Sequence, residues 1–350
     1  MFFGEVKTEL SLNGILSSSV EVTKDKHKVK FSKGTVIDRN LVELLLMNNV
    51  KYITCAMLDD DEIDENTAVY AISKKIINSK NSNIKIQDTK RGRCNLISTV
   101  DGVISFLPNQ LFSINSITND IGISSLKVFS KVKKNQIVAS IKAIPFGIKK
   151  KQLQAIINIS KNCFKILPFK KKNIHLIQTT NKNTLKKILE KTLKVTDERL
   201  SSCGVNKVVE KKCSHEIKSI CLKLKESVNE NADIILIFGT SAICDINDII
   251  PKAIKQINGE ILRLGMPVEP GNLMLLAEIK FSKKKISIIG MPACARSKKE
   301  NGVDWVLWRK LCDLKISSDD INHMGNGGLL WHRLVLKFII TQDVQNLEKY

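Results

Sequence analysis

Three short stretches hold the residues whose types and spacing could do chemistry. The first, Gly239-Thr240-Ser241-Ala242-Ile243-Cys244-Asp245-Ile246-Asn247-Asp248, follows the apolar run Ile234–Phe238. It offers two hydroxyls and several backbone N–H groups just ahead of a helix with Pro251 in its first turn, where a missing N–H costs nothing. Such a helix start suits a phosphate or another oxyanion. Asp245 and Asp248 would repel a bare phosphate, which points to Mg²⁺ held by oxygen ligands and makes them the candidate catalytic and metal residues. The competing reading is that Asp248 only caps the helix. The second stretch, Gly265-Met266-Pro267-Val268-Glu269-Pro270-Gly271-Asn272, is by itself a Pro-Gly turn between strands. The third, Gly290-Met291-Pro292-Ala293-Cys294-Ala295-Arg296-Ser297, follows Ile286–Ile289. Arg296 there has the chemistry for a bidentate grip on a phosphate, and Ser297-Lys298-Lys299-Glu300 fits a capping box that starts a helix beside it.

These loops need a scaffold, and residues from about 169 onward alternate strand and helix. Ile174–Gln178 reads as a strand, followed by a helix with Leu185, Ile188, Leu189, Leu193 and Leu200 on one face and Gly204 past its end. Val205–Val209 reads as the next strand. A helix capped by Ser214 carries Ile217, Ile220, Leu224 and Val228. That rhythm predicts an α/β fold, a doubly wound and mostly parallel sheet, whose ligand site lies beyond the strands' carboxyl ends. A last helix is expected over Lys298–Leu311. Residues 1–168 read as a β-rich α+β domain with inserted helices capped by Asp38 and Asp64, and Leu167–Lys172 as the linker. The domain with the three loops covers 169–315. Residues 316–350, with Gly325-Asn326-Gly327-Gly328, read as a flexible extension.

Composition narrows the function classes. With 43% hydrophobic and 26% charged residues, the chain is globular rather than disordered. Its formal charge of +21 is mostly lysine in short scattered runs, with aromatics at only 5%, so no stacking platform for nucleic acid emerges. Nine cysteines without a C-x-x-C pair read as reduced thiols, and Cys294 as a packed small residue. No apolar stretch has the length of a membrane span and no signal-peptide core is visible, so a soluble cytoplasmic protein is expected, without nucleic-acid or membrane partners. The acidic run Asp59–Glu62 reads as a solvated loop, and His215 as a residue of a helix's first turn.

The three loops together resemble a known family. Gly239-Thr240-Ser241 with its downstream aspartates is similar to the glycine-rich loop of the MoaB/Mog-type domain of molybdenum-cofactor biosynthesis. Gly265–Asn272 resembles the Met-Lys-Pro-Gly-Lys-Pro turn of molybdopterin molybdotransferases, and Gly290-Met291-Pro292-Ala293 their Gly-Leu-Pro-Gly-Asn-Pro loop. The run from Gly290 to Trp305 is close to the signature of an alphaproteobacterial subfamily, and Gly14-Ile15-Leu16 with Lys33–Ile37 resembles the molybdotransferase amino-terminal region. The resemblance implies binding of molybdopterin or adenylylated molybdopterin, with Mg²⁺ assisting and molybdate inserted by a transferase. Gly239, Thr240, Ser241 and Asp248 would then line the pterin-phosphate pocket, with Asp245 or Asp248 near the metal. Pro270, Gly271, Asn272, Gly290, Pro292, Ala293, Arg296 and Ser297 would form the facing rim. Implied partners are the pterin itself, a nucleotidyltransferase or molybdoenzyme-maturation protein, and further copies of the chain in a homo-oligomer. The sequence departs from the family at Phe238 and Ile243, where glycines are usual, at Val268-Glu269 in place of a lysine pair, and at Ala293-Cys294 in place of Gly-Asn. Those departures favour binding over turnover. They leave open a non-catalytic carrier, or a dinucleotide pyrophosphatase of the competence-damage type.

Overall fold

The computed structural model describes residues 1–77, 81–282 and 284–329. They fall into two compact units, one spanning Met1–Pro168 and the other beginning at Phe169. No helix of the described residues is long and apolar enough to cross a membrane.

The N-terminal unit is β-rich. Helix Glu65–Ile76 starts where Asp64 accepts from the N–H groups of Asn66 and Thr67, both at 3.0 Å, the usual way an aspartate satisfies a helix's first donors. Its Ala68, Val69, Ile72 and Ile76 join one core with Cys94, Leu96 and Ile141. Those last three lie on a four-stranded antiparallel sheet ordered Ile121–Ser125, Ile137–Ala143, Arg93–Ser98, Ile84–Ile86. A second helix, Arg39–Met47, is capped by Asp38 as its sequence predicts. A further helix, Lys150–Ile159, buries Leu153 and Ile156.

The C-terminal unit is built on six strands: β1 (Ile174–Thr180), β2 (Val209–Ser214), β3 (Ile234–Phe238), β4 (Glu260–Leu264), β5 (Leu275–Phe281) and β6 (Lys284–Met291). They lie in the order β2-β1-β3-β6-β5-β4. The first four are mutually parallel, while β5 runs antiparallel to both β6 and β4, with a bulge in β4 between Ile261 and Arg263. The helices are α1 (Lys186–Ser201), α2 (Ile217–Asn229), α3 (Ile249–Gln256), α4 (Gly302–Leu311) and α5 (Ser318–Asn322). Residues of one parity, including Ile177, Ile235, Ile237 and Ile288, form a core with Ile220 and Leu224 of α2 and Ile250 and Ile254 of α3. Leu176, Leu236 and Ile289, of the other parity, are equally buried, as strands covered on both faces require. The chain passes from β1 to β2 on one side and then to β3 on the other. With right-handed crossovers, the loops after β1 and β3 part to opposite faces, opening a crevice at their carboxyl ends.

Several boundaries differ from the sequence reading. The strand expected at Val205–Val209 starts only at Val209, because the chain from the Gly204 turn first buries Val205 and Val208. Helix α2 begins after Glu216, without a side-chain cap, and the Ser214 hydroxyl bonds Ser219 instead. Helix α4 starts at Gly302 rather than Lys298: Asn301 and Asp304 form the capping box, while Glu300 accepts from the Trp305 indole at 2.8 Å. Past residue 315 the chain is not loose as far as it is described. Helix α5 is capped by Ser317, and Ile316, Ile321 and Met324 are buried. Residues 330–350 of the expected extension lie outside the described residues.

Candidate functional site

All three motif loops emerge at one edge of the sheet. The first leaves β3 and the third leaves β6, and these strands are adjacent and parallel with Phe238 opposite Met291. The second joins β4 to β5 at the same end, two to three strand spacings away, or ~10–14 Å. Hydrogen bonding and steric fit lock the edge together. The Arg296 guanidinium donates to the Gly239 carbonyl at 3.1 Å, donates to the Thr192 hydroxyl of α1, and lies 4.6 Å over the Phe238 ring. A side chain at Gly239 would place its Cβ 2.6 Å from the Ser241 carbonyl and 3.1 Å from Ile250, so only glycine fits this exit from the strand.

Arg296 therefore differs from its expected role. Two of its terminal nitrogens are spent on the protein's own oxygens, and burial pushes its guanidinium below the ordinary value. It fixes the two loops to each other, and the bidentate edge foreseen for a phosphate is not presented. A second arginine, Arg199 of α1, does the same from below. It donates to the carbonyls of Ala295 and Ser297 and pairs with Asp304, with both side chains almost wholly buried. Nothing in the sequence marks Arg199, because its partners lie about a hundred residues downstream.

Asp248 is the N-cap of α3, accepting from Ile249 N at 2.6 Å. The exposed Asp245 carboxylate accepts from Asn247 N at 2.7 Å. No group of three or more His, Cys, Asp or Glu side chains among the described residues could hold a metal ion. The two carboxylates expected to hold Mg²⁺ thus accept from backbone N–H groups, and the capping reading of Asp248 is the one observed. Thr240 is half-buried and Ser241 exposed, and neither hydroxyl bonds another described residue.

The structure adds Thr179, which the sequence reading passed over, and His215, which it placed in a helix's first turn. Thr179, at the end of β1, donates to the Phe238 carbonyl at 3.3 Å and shares a 2.9 Å bond with His215 Nδ1. One hydroxyl hydrogen cannot serve both partners, so the donor in the Thr179–His215 bond depends on the imidazole tautomer. His215 is not a helix residue: it follows β2, and its N–H donates to Thr180 O at 2.9 Å. The crevice therefore joins the His215 imidazole, the Thr240 and Ser241 hydroxyls and the backbone of the Gly239 loop. That set can bind an oxyanion and place an imidazole beside it.

The second and third loops serve each other. Gly302 N donates to Pro270 O at 2.9 Å, and a Cβ on Gly271, at φ +134°, would lie 2.7 Å from Gly302 N. Pro270, Gly271, Gly290 and Pro292 are buried, whereas Asn272, Ala293 and Ser297 are exposed. The cavity at this end, ≈ 620 Å³, runs along Met266–Glu269 and Asn272 to Gly325 and Gly327–Leu329. It is not lined by the Gly239 loop. Burial raises the Cys294 thiol, with Glu269 adding to the effect, as for a packed residue, and all nine cysteines are unpaired.

No protein-family model matches the chain, and no curated protein does. Among solved structures it is similar to the tungsten cofactor synthesizing protein MoaB from Pyrococcus furiosus, at 14% identity and a TM-score of 0.30, over 41% of this chain and 89% of that one. It is also similar to a molybdenum cofactor biosynthesis protein B, at 14% identity and a TM-score of 0.31, over 41% and 95% respectively. A weaker likeness is to NadC from Streptococcus pyogenes, at 12% identity and a TM-score of 0.15, over 53% and 85%.

Proposed function

We propose that the C-terminal unit is a molybdopterin-binding unit of the MoaB/Mog type and that the chain binds molybdopterin or its adenylylated form in molybdenum-cofactor biosynthesis. One observation carries this reading. The two loops that most resemble the family's motifs leave adjacent parallel strands in register and are tied by the Arg296–Gly239 bond. In this reading the ligand's phosphate sits on the Gly239–Ser241 backbone and the Thr240 and Ser241 hydroxyls, while its heterocycle reaches toward His215. Binding and hand-over to a partner enzyme is the role these residues support.

The test is mass spectrometry of ligand retained after anaerobic, reducing purification, followed by titration with molybdopterin. The expected result is a bound pterin that Ser241→Asp, which places a carboxylate against the phosphate, weakens by roughly tenfold or more. If no pterin co-purifies and none can be titrated in, the reading fails.

A further inference from the structure

We infer that the N-terminal unit carries a separate ligand site, a groove for a mononucleotide. Its phosphate would be met by Lys33, Lys90 and Arg91, and its base would be laid against Tyr70. Two cavities of ≈ 570 and ≈ 520 Å³ adjoin there and share Asn66 and Thr89. Each is within the usual size of a small-molecule site, and together they far exceed what an inorganic oxyanion needs. The first is bordered by Ser32–Thr35 on one side and Thr89–Arg91 on the other. The second runs past Tyr70, Ile86 and Asp88. The groove is thus cationic at one end and aromatic, with one carboxylate, at the other.

The charge pattern is what singles it out. Lys33, Lys90 and Arg91 are exposed and none forms an ion pair with a described residue; Lys33 Nζ lies 5.2 Å over the Phe146 ring. The nearby carboxylate of Glu65 is buried behind the groove and already paired with Lys142 at 3.5 Å. That pair also sets the spacing of the walls. Lys142 donates to the Arg91 carbonyl at 2.8 Å, and Asn66 accepts from Gly92 N at 2.9 Å. A Cβ on Gly92 would fall 2.3 Å from Glu65 Oε2, while one on Gly34, in the facing wall, would be 3.8 Å from Glu65 Oε1. Both walls rest on one buried side chain, whose carboxylate is the nearby counter-charge for Lys33 as well as Lys142, so the positive charge of this end exceeds the negative.

The local backbone adds a second sign. Lys90 and Arg93 exchange two backbone bonds of 3.0 Å around a two-residue turn, with Arg91 at φ +51° and Gly92 at φ +64°. Turns of this geometry favour Asn, Asp or Gly at the first position, and an arginine there carries strain. At the other end Tyr70 is 43% exposed, has Lys74 Nζ 4.9 Å over its ring and lines the second cavity, where a base could lie against it. Asp88 at that end can accept from an exocyclic amine and would repel a phosphate, so it orients the ligand along the groove.

The experiment is calorimetric titration of the full chain with GMP, AMP, ribose 5-phosphate and inorganic phosphate. Nucleotides should bind at least about tenfold tighter than ribose 5-phosphate, with affinity falling as salt rises. The double variant Lys33→Gln, Lys90→Gln should weaken every phosphorylated probe by roughly tenfold or more and flatten the salt dependence, with thermal unfolding unchanged. Tyr70→Ala should weaken the nucleotides and leave ribose 5-phosphate as it was. Equal affinity for nucleotide and ribose 5-phosphate, or no binding at millimolar concentrations, overturns the proposal. So does wild-type binding by the lysine variant, which would put the nucleotide elsewhere on the chain.

Discussion

The edge of the C-terminal sheet and the groove of the N-terminal unit use cations in opposite ways. At the sheet edge, Arg199 and Arg296 are consumed by the protein's own carbonyls, a hydroxyl and one carboxylate. In the groove, Lys33, Lys90 and Arg91 converge with no partner of that kind. An arginine among small residues in a loop thus need not be a ligand group. With five donors in a rigid fork, it is also the side chain best able to bind several loop carbonyls at once. Conversely, lysines that look like compositional background can be placed by the fold where their charges add.

The comparison breaks first at Asp304. Asp304→Ala would leave Arg199 buried without its counter-charge and remove half of the α4 capping box, at a cost of about 3–5 kcal/mol in urea unfolding. A loss below about 1 kcal/mol would mean that Arg199 is solvated and the edge is not built on it. Next comes Arg296→Met, which keeps much of the stem's packing but frees Gly239 O and the Thr192 hydroxyl. It should cost about 1–3 kcal/mol, and the double variant with Thr192→Val should lose less than the sum of the singles. Strict additivity would dissolve the claimed tie.

A smaller effect is read in pH. Burial alone would raise the Glu278 carboxyl, but Lys310 at 2.8 Å and Lys285 outweigh it and hold it below the usual range. The folded carboxylate therefore stays ionised to lower pH than the unfolded one. Its stabilisation is complete above the unfolded carboxylate range and is lost as pH falls through the folded value. Glu278→Gln should flatten that acid limb in a series of denaturation curves, and an unchanged limb would contradict it. The least effect on stability belongs to the groove lysines, whose replacement should stay within about 0.5 kcal/mol.

Much of this fold was legible because the signals are local. Short apolar runs gave β1, β3 and β6, and Asp38 and Asp64 were recognisable as caps from their place before apolar-periodic helices, whereas Asp248 was read first as a metal residue with capping as the competing role. The start of α4 was misplaced because two overlapping cap patterns compete there. Asn301–Asp304 prevails over Ser297–Glu300 since Asp304 also meets Arg199. The use of Arg296, the presence of Arg199 and the Thr179–His215 bond all depend on which distant strands become neighbours. That information is absent from any short window. The groove was equally invisible, because its walls come from residues near 33, 66 and 90.

The two outer strands of the C-terminal sheet carry a consequence for how the molecule behaves in a crowd of its own copies. An unpaired strand edge is a template for adding another strand. At one edge, β2 reads Val209-Glu210-Lys211-Lys212-Cys213-Ser214, with Lys211 held to Glu226 and Glu230, and Lys212 to Glu210. At the other, β4 breaks its register at the Ile261–Arg263 bulge, and Arg263 folds back on Gly265 O and across to Ser318. Charge guards one side and irregular geometry the other. Among the described residues the sheet is thus protected at both sides from growing edge to edge into larger aggregates.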